Sequence, residues 1–186
     1  VADILRRSEL SWLKSKAGCV RCGACSALPV HEKVGRRLTC RPVRTEREKE
    51  IAFAIRNDVF VKEQALFKDS DIDENDGKSV HLVAELDGLI VGTVRVFPTG
   101  SNGHWIGGRL AVNKEKRIYM VGAGLVKAAM KHVKMKNCTR FMAHIQQENV
   151  EFFKRLGWET VGAVENHFNR PHQMMVADLD RVPNGS

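Results

Sequence analysis

Residues 80–86 (VHLVAEL) and 89–97 (LIVGTVRVF) are two apolar runs separated only by Asp87-Gly88. An Asp-Gly pair between such runs is a strong signal for a tight hairpin turn, so this stretch reads as an antiparallel pair of strands. What covers that pair is set by the periodicities on either side. Upstream, residues 46–64 place Ile51, Ala54, Ile55 and Val59 on one stripe of an amphipathic helix, followed by an acidic loop at 69–78 (DSDIDENDGK). Downstream come a strand at 104–112, a helix at 120–136, a strand at 139–145, a short helix at 147–156 ending at Gly157, and strands at 158–164 and 173–179. Helices alternating with a largely antiparallel sheet make an α+β layered domain over residues 46–180, with 181–186 as a tail.

Charge and cysteine mark off the first 45 residues. They hold ten Lys and Arg against three acids, whereas the other 141 residues hold 20 against 19. The net charge of +8 therefore resides almost wholly in this N-terminal extension. A short helix is expected to about Lys16. Four of the five cysteines follow, with Cys19, Cys22 and Cys25 in a Cys-x2-Cys-x2-Cys run and Cys40 fourteen residues beyond. Two-residue spacing lets neighbouring sulfurs reach one metal, so Cys19, Cys22, Cys25 and Cys40 are candidate ligands for zinc, or less readily for an iron–sulfur cluster. The match is incomplete for both patterns, because zinc sites usually pair two such knuckles. Free thiols in a basic leader are the plain alternative. The segment has no evident nucleic-acid recognition element, and no nucleic-acid partner is expected.

No stretch approaches the roughly 20 apolar residues of a membrane span, and the basic N-terminus lacks a signal peptide's apolar run. A cytoplasmic protein without a membrane partner is expected. The opening without Met and the closing Asn184-Gly185-Ser186 read as part of a longer protein.

The clearest chemistry lies at 109–126. Arg109-Leu110-Ala111-Val112 ends a strand, a basic turn follows from Asn113 to Arg117, and Gly122-Ala123-Gly124 opens a helix. Glycines at a helix N-terminus admit an anion to backbone N–H groups, and the helix dipole favours its charge. A Rossmann site is excluded by the incomplete Gly-x-Gly-x-x-Gly and the antiparallel setting, and a Walker loop by the absence of Gly-Lys-Ser/Thr.

The order of hairpin, Leu-Ala-Val strand, basic turn, Gly-x-Gly helix and then Asn149-x-x-x-Phe153-x-x-x-Gly157-Trp158 resembles the GNAT superfamily of acyl-CoA-dependent N-acetyltransferases. Several further motifs resemble ElaA-type members and, still more, the nitrogen-starvation N-acetyltransferase subfamily. These are Arg56-x-x-Val59-Phe60-Val61-x-Glu63-Gln64, Asp71-Ile72-Asp73, Asp76, His81, Gly92-Thr93-Val94-Arg95, Ala143-His144-x-Gln146-x-x-Asn149 and Pro171-His172-x-x-Met175. The resemblance implies a GNAT-type mixed, mostly antiparallel sheet flanked by helices, with acetyl-CoA as co-substrate and a small amine as acceptor. A homodimer is common in that superfamily.

It also implies a set of site residues. The backbone at Leu110, Ala111 and Val112 would pair with the pantetheine arm. Arg117 and the turn Val121, Gly122, Ala123, Gly124 and Leu125 would cradle the pyrophosphate, and Asn149 and Phe153 would complete the cofactor contacts. The family's arginine falls at Tyr119, with Arg117 two residues early, and its usual tyrosine acid is Phe153 here. Glu63, His144 and His172 are the candidate general bases, each with a structural alternative: a solvated acid, a core histidine and a turn-holding histidine. The acidic cluster Asp71, Asp73 and Asp76 suits either a cationic acceptor or a solvated loop. Two other functions remain open: an acyl-homoserine-lactone-synthase-like acyltransferase, suggested by Gly92-Thr93-Val94-Arg95-Val96-Phe97-Pro98-Thr99, and a non-catalytic CoA-, metal- or nucleic-acid-binding protein.

Overall fold

The computed structural model describes residues 37–100 and 103–183. Seven strands form one sheet in the order β1-β2-β3-β4-β5-β7-β6. They are β1 (Leu38–Pro42), β2 (Val80–Leu86), β3 (Leu89–Pro98), β4 (His104–Val112), β5 (Arg140–Gln146), β6 (Trp158–His167) and β7 (Arg170–Ala177). Every pairing is antiparallel except β4 with β5. Helices α1 (Glu46–Arg56), α2 (Val121–Met135) and α3 (Val150–Arg155) complete the mixed, layered fold.

The larger core lies between the sheet and α2 with α3. Val121, Leu125, Val126, Ala129, Met130 and Val133 of α2 recur at helical spacing and are all buried against Leu82, Val94, Val96, Phe141 and Met175. Each fully buried aliphatic side chain of this size is worth about 1.5–3 kcal/mol. A smaller cluster on the other face joins Ile55, Val59 and Phe60 to Ala111 of β4. Thr45 caps α1 by accepting the Glu48 N–H, and Glu46 and Glu48 suit the positive end of the helix.

Two sequence expectations shift. The helix foreseen over 46–64 is α-helical only to Arg56, and Asn57–Glu63 forms a wider π-helical turn in which the Gln64 N–H bonds the Val59 carbonyl. The boundary at residue 45 cuts through the fold, because β1 lies inside the supposed extension and pairs with β2 from Leu38↔Leu86 to Pro42↔Leu82.

This placement also decides the role of two residues. A Cβ on Gly124 would stand 3.0 Å from Cys40 Sγ and 3.3 Å from Leu38 Cδ2. Gly124 is thus required for close packing of α2 on β1. Burial pushes the Cys40 thiol up to about 11, so it is protonated at neutral pH and turned toward a helix. Among the described residues, no other metal-ligating side chain joins Cys40 in a candidate site. Cys19, Cys22, Cys25 and the helix expected to Lys16 lie outside the described residues.

Gly124→Ala is expected to cost at least about 1 kcal/mol with Cys40 present. In a Cys40→Ala background the same change should be neutral or stabilising by up to about 1 kcal/mol, since alanine favours the helix. A double-mutant cycle by urea unfolding measures the difference, and strict additivity would refute the contact.

Candidate active site

The site begins with an irregularity in β4. Thr93 opposes Ala111 and Arg95 opposes Gly108, so Arg109 and Leu110 together face Val94 in a β-bulge. Arg109 takes φ 54°, a left-handed conformation that costs a non-glycine residue about 1–3 kcal/mol. Pairing of β4 with β5 ends just before the bulge, at Gly107↔Ala143, although β4 runs on to Val112 and β5 to Gln146. The two parallel strands part there.

A cavity of about 310 Å³ fills the parting. Leu110, Val112, Phe141, Ile145 and Phe153 contribute apolar walls, and Gln64, Arg109, Gln146 and Asn149 contribute polar ones. Trp158 also lines it; the indole is 3% exposed, and its N–H has no hydrogen-bond partner among the described residues.

The strained bulge is held by a buried ionic network. Arg56, wholly buried in α1, donates to Asp71 at 2.7 Å and to both oxygens of Asp76 at 2.6 and 2.9 Å. Arg95 of β3 meets Asp73 through two 2.6 Å bonds and Asp76 at 2.9 Å. Arg109 donates to the Asp71 carbonyl at 3.0 Å and to Asp73 at 3.1 Å, and its guanidinium lies 4.7 Å from the centre of the Phe67 ring. Burial raises the Asp76 carboxyl, but bonds from Arg56, the Asp73 backbone and Arg95 outweigh it and hold the group well below the usual carboxylate range. The cluster Asp71, Asp73 and Asp76 is therefore neither a solvated run nor a free surface for a cationic acceptor: its carboxylates are paired with Arg56, Arg95 and Arg109.

The start of α2 borders the cavity. Its N-cap, Met120, has φ 57° and provides no side-chain cap. The first N–H groups of the helix consequently have no intrahelical acceptor. A Cβ on Gly122 would meet only Phe152, at 3.8 Å, so packing does not demand glycine there, unlike at Gly124. Of the expected cradle only Gly122 and Arg117 line the cavity. The side chains of Val121, Ala123 and Leu125 point into the core, and Ala111 is buried beneath α1.

The cavity lining is also rich in histidine. Gln146 opposes His172 across β5 and β7, and Glu165 opposes His172 across β7 and β6. His172 is buried, with Nδ1 at 2.9 Å from the Arg170 carbonyl; that contact makes Nδ1 the donor and leaves Nε2 as a free acceptor. His144 is exposed rather than a core histidine, its ring 4.4 Å from that of His167. Burial and then the charge of His167 push His144 below the usual histidine value, so it is neutral at pH 7.

Glu63 is differently occupied. Arg117 donates to both its oxygens at 2.6 Å and to the Val112 carbonyl at 3.1 Å. That pairing, opposed by burial, lowers the carboxyl below its ordinary value, which makes Glu63 a weak proton acceptor. It does not line the cavity. Of the residues around the mouth, Gln64 is part of a family motif, whereas Glu165, His167 and Phe168 carried no expectation. The alternation of polar residues at 165, 167, 170 and 172 is the one signal that marks them.

A parted β4–β5 pair leading to the open start of a helix agrees with the comparisons. The acetyltransferase (GNAT) family profile matches residues 46–158. The uncharacterized N-acetyltransferase YjcF of Bacillus subtilis is 30% identical over 138 residues, covering 73% of this chain and 96% of its own. Among solved structures, Escherichia coli ElaA superposes with a TM-score of 0.66 at 19% identity, over 77% of this chain and 99% of its own. The CoA-dependent acyl-homoserine lactone synthase BjaI superposes with a TM-score of 0.61 at 16% identity, over 78% of this chain and 84% of its own. The chain belongs to the GNAT acetyltransferase family.

Proposed function

We propose that this enzyme transfers an acetyl group from acetyl-CoA to the amine of a small molecule by direct attack, with His172 as the general base. The observation that carries this reading is one cavity lined both by an uncapped helix start and by a buried, oriented imidazole. The N–H groups of Val121, Gly122 and Ala123, with Arg117 and the basic turn before them, suit a pyrophosphate. The edge of β4 beyond Gly107, left without β5, offers backbone groups to an extended pantetheine arm, as an added strand would be held. A backbone N–H there polarises the thioester carbonyl and stabilises the developing oxyanion.

The acceptor amine enters from the histidine face. His172 Nε2 takes the amine proton, and the Arg170 carbonyl keeps the imidazole in the required tautomer. Phe153 stands where the family places a tyrosine acid and carries no proton, so the thiolate leaves unprotonated or takes its proton from water. Glu63 serves as the counterion that positions Arg117.

Calorimetric titration of the full chain with acetyl-CoA is expected to give micromolar affinity, and a panel of amines should release free thiol. Gly122→Asp separates binding from folding. A carboxylate in the first turn of a helix is favourable for the fold, yet it repels a phosphate. Its melting temperature should match or exceed the parent's, with acetyl-CoA affinity at least tenfold weaker. Unchanged affinity would remove α2 as the phosphate site.

A further inference from the structure

Outside the proposed acyl-transfer machinery, His144 of β5 and Glu165 and His167 of β6 converge at the mouth of the cavity. One ligand atom from each lies within 4.8 Å of the others. His167 Nε2 is already 3.1 Å from Glu165 Oε2, and the His144 and His167 rings are 4.4 Å apart at 56°. β7 lies between β5 and β6 in the sheet, and the His144 and His167 side chains meet across it. Phe168, at the tip of that hairpin, meets Phe67 at 4.8 Å, and Arg170 donates to the Gln64 carbonyl at 3.2 Å. These contacts hold the hairpin in place.

We infer that His144, Glu165 and His167 form a binding site for a divalent transition ion of the zinc class. Two imidazoles and a carboxylate are a donor set suited to zinc, cobalt, nickel or copper rather than to magnesium or calcium. Bonds of 2.0–2.1 Å in tetrahedral array place donor atoms roughly 3.3 Å apart. The widest-spaced groups must therefore close by up to about 1.5 Å, which side chains at a hairpin do by rotation. Three protein donors leave one position open toward the cavity, where water or a ligand completes the shell. The ion would tie β5 to the hairpin.

Cobalt(II) alone, titrated into the chelator-stripped full chain, tests the site and tells it from the N-terminal cysteines. Expected is one equivalent bound with weak visible bands and no intense thiolate-to-cobalt absorption, and at least tenfold weaker binding in each of His144→Ala and His167→Ala. His144 and Glu165 are exposed and His167 is half-buried, so the metal-free variants should melt close to the parent. A cobalt spectrum dominated by thiolate absorption, lost in Cys19→Ser/Cys22→Ser/Cys25→Ser and unaffected by the histidine variants, would overturn the assignment. So would the absence of any binding at millimolar cobalt.

Discussion

Arg56→Met should cost about 3–5 kcal/mol of folding stability, because it takes from the buried Asp71 and Asp76 their one wholly buried partner and leaves only Arg109 and Arg95 to balance them. The methionine fills much of the arginine's volume, so the loss reports charge rather than a cavity. Acidification should shrink the difference between variant and parent, since Asp76, stripped of Arg56, accepts a proton more readily in the variant. The parent has the opposite trend. Asp73 and Asp76 are depressed in the folded state, so their contribution is complete above the ordinary carboxylate range and is lost as pH falls toward their lowered values. His81 is lowered by burial, so it too binds its proton more readily once unfolded, and it adds to acid lability below its usual range. Urea unfolding at pH 7, 5 and 3 measures both effects. A penalty under about 1 kcal/mol, or one independent of pH, would show that the network does not behave as buried charge.

The second large effect is on catalysis. His172→Gln is expected to lower kcat about 10²–10⁴-fold, the usual worth of a positioned general base. Acetyl-CoA affinity should be unchanged, because the imidazole is carried on β7 and not on α2 or the turn before it. Glutamine retains a hydrogen-bonding side chain of similar reach, so a fall confined to kcat isolates proton transfer from packing. Glu63→Gln should act differently, weakening acetyl-CoA binding through Arg117 more than turnover. If Glu63→Gln abolishes kcat while His172→Gln is active, the base assignment is reversed.

Local signals in the sequence were reliable where the physics is local. The Asp87-Gly88 turn, the stripe of α2 and the glycines before it all depend on neighbours within a few residues. Five residues of β1, LTCRP, carry little alternation and one proline, so an edge strand there has no signature of its own. The acidic loop shows the limit most clearly. Asp71, Asp73 and Asp76 look like any polar run, and their partners Arg56, Arg95 and Arg109 lie 15 to 38 residues away on three different elements. Arg117, which occupies Glu63, is 54 residues distant. Gly124 illustrates a different ambiguity: a motif glycine looks the same whether a ligand or a neighbouring sulfur excludes its side chain. Only the packing of Cys40 separates the two.

The outer strand β6 is exposed along nearly its whole length, and such an edge offers a row of backbone groups onto which further strands can add. Its register breaks between Thr160 and Val164, with Gly162 at φ +73°, and Glu159 and Glu165 flank the exposed Val161 and Val164. An incoming strand would find the hydrogen-bonding ladder interrupted at its centre and like charges on both sides. That irregularity is thus a guard against aggregation, and a straightened β6 would leave the molecule prone to open-ended growth.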